Sequence, residues 1–273
     1  MITVDTHIHT RYSHGKATVR EMYDAALLKG VKIFGFSEHS PRPHGFDYPT
    51  DYKEKLTAAW PDYIRDVTSL KNNAEGVQVL LGIEMDWTTG QEGYIRQKLE
   101  ADPFDYVIAG IHFLETWGFD FSANDWAQWD DADCFPRYEA FFSSMEAMAR
   151  TGLFNIVAHP DIIKIFTVDR FRRWIAAPAG LECARAALTA VRDAGMAMEI
   201  SSAGLRKLCR EIYPCPAFME IAQDLALPIS FGSDAHSTAS VGYAFDTLAE
   251  YARSFGYTES VYFTQRTPHS RHF

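Results

Sequence analysis

Short apolar runs recur along this 273-residue chain, and nearly all end on a histidine or a carboxylate: TVDTHIH, IFGFSEH, VLLGIE, VIAGIH, NIVAH and ISFGSDAH. A β-strand turns successive side chains to opposite faces, so residues i and i+2 share a side. His7 with His9, and Asp234 with His236, are spaced in this way. Each pair can deliver two donors to one place. With His14, His39, Glu84, His112 and His159 they form a set of nitrogen and oxygen donors suited to zinc, iron or manganese. Of the 10 histidines only His44, His269 and His272 fall outside the pattern. One histidine after an apolar run would mean little; seven point to a metal site.

The runs alternate with helical patterns. A strand over residues 2–4 precedes a helix over 19–29, capped by Thr18 and stopped by Gly30. A second strand over 31–37 leads into a loop, SPRPHGFDYP, whose prolines and glycine preclude regular structure. Further helices are expected over 52–73, 92–100, 137–150, 217–226 and 241–254, with another helical region ending near Asp193. Strands are expected over 77–83, 106–111, 154–158, 196–200 and 228–232, with an extra edge strand over 261–264. Residues 115–134, rich in Trp and Asp, read as an irregular insert.

Seven β-then-α units imply parallel strands and right-handed crossovers. An open sheet would spread its strand ends along a line, whereas a closed barrel turns them toward one point. The expected fold is therefore α/β, a distorted (β/α)7 TIM-like barrel with its metal site at the C-terminal mouth of the strands. Donors at both ends of the chain, and no linker or repeat between them, argue for a single domain over residues 1–273.

The net charge of −10 weighs against a nucleic-acid backbone as the main partner, and the short basic cluster Arg170 to Arg173, with Phe171 inside it, reads as a solvated helix face. No apolar run reaches the ~20 residues needed to cross a bilayer. Cys134, Cys183, Cys209 and Cys215 contain no C-x-x-C pair, and the N-terminus does not look like a signal peptide, so reduced thiols in a cytoplasmic protein are expected. Oligomeric state is left open.

Six ordered signatures, HIH at 7–9, SEH at 37–39, GIE at 82–84, GIH at 110–112, AHP at 158–160 and GSDAH at 232–236, resemble the PHP superfamily of polymerases and histidinol phosphatases, closest in its histidinol-phosphate phosphatase branch. The resemblance implies three metals: His7, His9, Glu84 and Asp234 holding one, Glu84, His112 and His159 a second, and His14, His39 and His236 a third. Glu84 would bridge two ions. His14 stands apart, in a turn rather than at a strand end.

Three divalent ions and two carboxylates leave a charge of about +4, a field suited to a phosphate monoester dianion. The resemblance implies hydrolysis of L-histidinol phosphate in histidine biosynthesis, by in-line attack of a metal-bound hydroxide on phosphorus. Arg206, in EISSAGLRK, and Arg42 are candidate phosphate ligands, because guanidinium pairs with phosphate oxygens. Asp161, after AHP, and His44 are candidate proton donors or substrate contacts, with a metal-bound water as the other source of the leaving-group proton. The insert's aromatic and acidic residues would suit an imidazole and an ammonium as a substrate lid. A PHP phosphodiesterase or nuclease, a phosphotyrosine phosphatase and a non-catalytic scaffold are the alternatives.

Overall fold

Seven strands pair in parallel and in chain order: Val4–Asp5 (β1), Ile33–Phe36 (β2), Gln78–Asp86 (β3), Tyr106–Gly110 (β4), Ile156–Val157 (β5), Ala197–Ser201 (β6) and Ile229–Gly232 (β7). The computed structural model describes every residue except Pro49; that end of the expected proline-rich loop lies outside the described residues. Register is set by pairs such as Val4 with Ile33, Gly35 with Leu80 and Glu84 with Ile108. The sheet then closes on itself. Thr6 N–H donates to the Phe231 carbonyl at 3.2 Å, His9 N–H to Ala235 at 2.9 Å, and Ala235 N–H to His7 at 3.1 Å. The expected (β/α)7 barrel is thus formed, with β1 and β5 reduced to two residues each.

The period of two explains how the inside is filled. Along β3 the inward positions read Leu80, Gly82, Glu84 and Asp86, passing from apolar to empty to charged. The lower layer is Val4, Ile33, Leu80, Ile108, Ile156 and Ala197. Tyr106 fills the space above it. Its hydroxyl donates to the carbonyls of Thr6 at 2.7 Å and Phe36 at 3.1 Å, and Gly35 and Gly82 leave room for its ring. A Cβ on Gly82 would lie 2.3 Å from the Tyr106 Cζ. We expect Gly82→Ala to destabilise the protein by about 2–3 kcal/mol, as overpacked cores do. Chemical denaturation measures this directly; a change within about 0.5 kcal/mol would refute the ring's fixed place.

Apolar faces of the surrounding helices cover the outside of the barrel. Thr18 accepts from Glu21 N–H while the Glu21 carboxylate accepts from Thr18 N–H, a reciprocal cap on the helix Val19–Leu28. The helix after the insert begins at Asp131 rather than at the expected residue 137. Asp130 and Asp133 form a capping box there, and the helix runs through Pro136 to Arg150. The insert is less irregular than its composition suggests. A small hairpin, Phe113–Leu114 with Trp117–Gly118, spans its start, and a short helix, Ala123–Ala127, lies within it.

The expected edge strand also needs correction. Residues Glu259–Thr264 pair with Thr267–His272 in a hairpin of their own rather than extending the barrel sheet. Phe263 plugs the lower barrel against Val4, Ile33 and Leu80, while the turn residues Gln265 and Arg266 donate backbone N–H groups to Asp105. The polar sequence of the second strand hid it, since only one face of the hairpin is buried. The four cysteines are free, and no helix among the described residues is long and apolar enough to cross a membrane.

Candidate metal centre and active site

Glu84 reaches the mouth from β3 and stands at the centre of five imidazoles. Its Oε2 lies 3.4 Å from His7 Nε2, 3.4 Å from His9 Nε2 and 2.9 Å from His39 Nδ1. Its Oε1 lies 3.4 Å from His112 Nε2 and 3.1 Å from His159 Nε2. Asp234 Oδ1 completes the far side, 3.3 Å from His9 Nε2, 3.8 Å from His7 Nε2 and 3.4 Å from His236 Nδ1. Burial opposes ionisation of Glu84, yet His39, His7 and His112 hold its carboxyl well below the usual range.

Close packing at this level demands small or strained backbone. A Cβ on Gly110 would come within 2.8 Å of Glu84 Oε1 and 2.6 Å of His112 Cε1. His159 and Asp234 both take positive φ, 24° and 49°. Such strain is tolerated where surrounding bonds fix the backbone. Here His159 N–H donates to Glu199 at 2.8 Å, and the carbonyls of Ser233 and Asp234 both accept from Arg206 Nη2.

Three carboxylates outside the expected donor set hold histidines from behind. Glu199 Oε1 lies 2.7 Å from His7 Nδ1, Glu38 Oε1 lies 3.2 Å from His9 Nδ1, and Asp86 Oδ1 lies 2.5 Å from His112 Nδ1. A carboxylate on one ring nitrogen fixes the tautomer that presents the other to a metal. The sequence carried a signal for each. Glu38 adjoins His39, Asp86 stands at i+2 from Glu84, and Glu199 lies on β6, the strand without an expected ligand. Arg42 offsets Asp86, so Glu38 and Glu199 lower the expected charge of about +4 to about +2 with three divalent ions bound.

The donor set fits metal ions. Nε2 of His7, His9 and His236, Nδ1 of His39 and Oε2 of Glu84 are buried without a hydrogen-bonding partner. Buried polar atoms are seldom left so, and these converge. Ligand atoms lie within 4.8 Å of one another in four overlapping sets: His7, His9 and Asp234; His7, Glu84 and His159; His39, Glu84 and His112; His9, His39 and His236. The sets cross the divisions drawn from the family resemblance, with His9 adjoining two groups. His14 sits at the rim, its ring 4.1 Å from His236 and 5.0 Å from His39, and its Nδ1 lies 3.2 Å from the Tyr52 hydroxyl.

Four other candidates are placed differently from one another. Asp161 is buried, accepts from Lys164 Nζ at 2.7 Å and Cys215 N–H at 2.8 Å, and does not line the cavity, so geometry gives it no role as proton donor. His44 is exposed on the loop and lies outside the cavity lining. Arg42 is 3 % exposed and paired with Asp86 at 2.5 Å, which corrects its expected place among the substrate ligands. Arg206 braces the turn that carries Asp234 and keeps a buried Nε without a partner.

A cavity of about 190 Å³ opens over the donors, lined also by Asp120 and Phe121 of the insert and by Tyr48, Ile162 and Lys207, the last three outside the expected site. Asp120 accepts from the Tyr48 hydroxyl at 2.7 Å, and Phe121 stacks on the Tyr48 ring at 5.3 Å. A larger groove of about 920 Å³ lies between the small hairpin and the helix 131–150, lined by Trp117, Trp129 and Arg137. It contains none of the clustered donors, so the smaller cavity is the chemical one.

The chain resembles a "Probable histidinol-phosphatase" from Deinococcus radiodurans, 32% identical over 92% of this chain and 93% of that protein. A crystal structure from Listeria monocytogenes, assigned as a histidinol phosphatase, superposes with a TM-score of 0.78 at 25% identity, covering 89% of this chain and 98% of that one. The Lactococcus lactis histidinol phosphate phosphatase, solved with zinc, L-histidinol and phosphate, shares the fold with a TM-score of 0.71 at 19% identity, covering 98% of each chain. The family model for the PHP domain matches residues 5–203, a span that holds every candidate ligand except Asp234 and His236. On that match and on the relative from Deinococcus, the chain belongs to the PHP domain family.

Proposed function

We propose that the protein is a metal-dependent phosphomonoesterase that hydrolyses L-histidinol phosphate to L-histidinol and phosphate in histidine biosynthesis. The observation that carries the reading is the pairing of a histidine cluster gathered round Glu84 with a small cavity lined by a cationic and an anionic side chain, Lys207 and Asp120. Histidinol phosphate carries a phosphate at one end and an ammonium and an imidazole at the other. The relatives named above, and the zinc, histidinol and phosphate of the Lactococcus protein, support this choice.

Three divalent ions, drawn from zinc, iron and manganese, would be held by His7, His9, His14, His39, Glu84, His112, His159, Asp234 and His236. When bound, they supply an activated water and charge stabilisation for an in-line displacement at phosphorus. The chain's own residues orient the substrate. Lys207 draws the phosphate to the cluster, while Arg206 acts from outside the cavity by bracing the turn that carries Asp234; Asp120 accepts from the ammonium; the Tyr48 and Phe121 faces receive the imidazole. A cavity of about 190 Å³ suits a small monoester better than a polynucleotide.

The test is phosphate release from L-histidinol phosphate beside p-nitrophenyl phosphate and bis-p-nitrophenyl phosphate, with bound metals quantified. A preference for histidinol phosphate of about 10²-fold or more in kcat/KM is expected, since its ammonium and imidazole each add a contact the other esters lack. Equal turnover of all monoesters would sink the substrate assignment, faster diester cleavage would move the protein to the phosphodiesterases, and no turnover with full metal content would leave a scaffold.

A further inference from the structure

Arg42 does not line the cavity, yet three of its neighbours reach the site. Its guanidinium carbon lies 4.6 Å from the Tyr48 ring centroid, 5.1 Å from Phe113 and 5.2 Å from Tyr52. Stacking on aromatic faces and the Nε bond to Asp86 Oδ2 at 2.5 Å fix the guanidinium plane. From this fixed plane three connections run to functional groups. Asp86 passes from Arg42 to His112 Nδ1 at 2.5 Å. Tyr48 passes to Asp120 at 2.7 Å. Tyr52 passes to His14 Nδ1 at 3.2 Å.

We propose that Arg42 is a positioning residue that ties the metal side of the site to the substrate side, holding His112 through Asp86 and the Asp120 wall through Tyr48. Two physical points carry this. First, Asp86 is 2 % exposed, and a buried carboxylate beside the other acids of this site needs a permanent cation of its own; Arg42 is the cation that bonds to it. Arg42 Nε takes Asp86 Oδ2 and leaves Oδ1 for His112 Nδ1. Second, Tyr48 is a cage wall for Arg42 on one side and the hydrogen-bond donor to Asp120 on the other. The position of the substrate-facing carboxylate is therefore set by the same side chain that steadies a metal ligand. Arg42 Nη1 remains without a partner, so the cage and the single Nε bond, rather than a full fork of hydrogen bonds, hold the group.

The proposal rests on the metal-centre reading, and its test separates the two. Metal affinity is measured by competition with a coloured chelator for the wild type, Arg42→Lys, Arg42→Gln and Tyr48→Phe, beside kcat and KM on L-histidinol phosphate and p-nitrophenyl phosphate. A wild type that binds no metal overturns the metal-centre reading itself. If the wild type binds metal, Arg42→Gln is expected to weaken one metal by about 10–100-fold, the range seen when the group behind a ligand is removed. Arg42→Lys, which keeps the charge but not the planar group that the aromatic cage holds, should lose less. Both should regain kcat in excess metal. Tyr48→Phe should leave metal affinity intact and narrow the preference for histidinol phosphate over p-nitrophenyl phosphate. Should Arg42→Gln fail to fold, Arg42→Lys decides alone. Full metal affinity with KM raised for both esters would overturn the proposal by placing Arg42 on the phosphate, and wild-type behaviour in both Arg42 variants would overturn it equally.

Discussion

Glu84→Gln is expected to abolish turnover, by on the order of 10³-fold or more, and to lower the number of metals retained on gel filtration. The side chain keeps its size, so packing against Gly110 is preserved and the loss is one of charge. Both Glu84 oxygens face imidazole nitrogens, three on Oε2 and two on Oε1. An amide offers one weaker oxygen and turns an N–H toward the others. Donors on both sides of the cluster then lose their shared anion. Inductively coupled plasma analysis beside a turnover assay gives the result; full metal content with near-normal kcat would show that Glu84 bridges nothing.

Removing the metals should be nearly as damaging to the fold as this change is to activity. A ligand present at a thousandfold its Kd contributes about 4 kcal/mol, which for a chain of this size is about 8–16 °C in Tm for each site emptied. Chelation is therefore expected to lower Tm by at least that much, and restored metal to recover it. The pH dependence has a definite sign. In the metal-free protein burial opposes charging of His9, but Asp234, Glu38 and Glu84 outweigh it and raise its pKa to about 9; burial likewise opposes charging of His112, and Glu84 and Asp86 raise it to about 9. A raised histidine stabilises the fold below its unfolded pKa of about 6.5 and loses that contribution as pH climbs to about 9. Metal must displace those protons, so binding should release protons and tighten as pH rises over this window. The Tm gap between loaded and stripped protein should widen from pH 6.5 to 9. Equal Tm values at all pH would mean that the cluster is no metal site.

Much of this was legible in the residues alone. Tyr52–Asn73 begins and ends where its apolar periodicity does, and Thr18 caps the first helix as its S/T-x-x-E spacing requires. Local chemistry decides such features. The helix that starts at Asp131 is legible in sequence only from residue 137 because Pro136 discourages a helical reading, whereas the Asp130 capping box outweighs one missing N–H. Of the C-terminal hairpin only the first strand is legible, as the expected strand over 261–264: the second is polar, and its pairing with Glu259–Thr264 is a contact that no pattern within the strand itself records.

The same division runs through the site. The donors His7, His9, His39, Glu84, His112, His159, Asp234 and His236 could be picked out because a strand's end and its period of two are properties of neighbouring residues. Which donors approach one another, and which buried carboxylate stands behind each ring, depended on barrel closure, because Glu199 meets His7 only when β6 and β1 share one interior. Arg42 looked like a phosphate ligand by residue type, and Asp161 like a proton donor by its place after AHP. The fold made one the partner of Asp86 and the other the partner of Lys164, since a buried charge takes whatever opposite charge packing brings within reach. Sequence thus determined the chemical types present and their order along the barrel; tertiary structure alone decided their pairing, because pairing is set by distances across the barrel that chain neighbours do not encode.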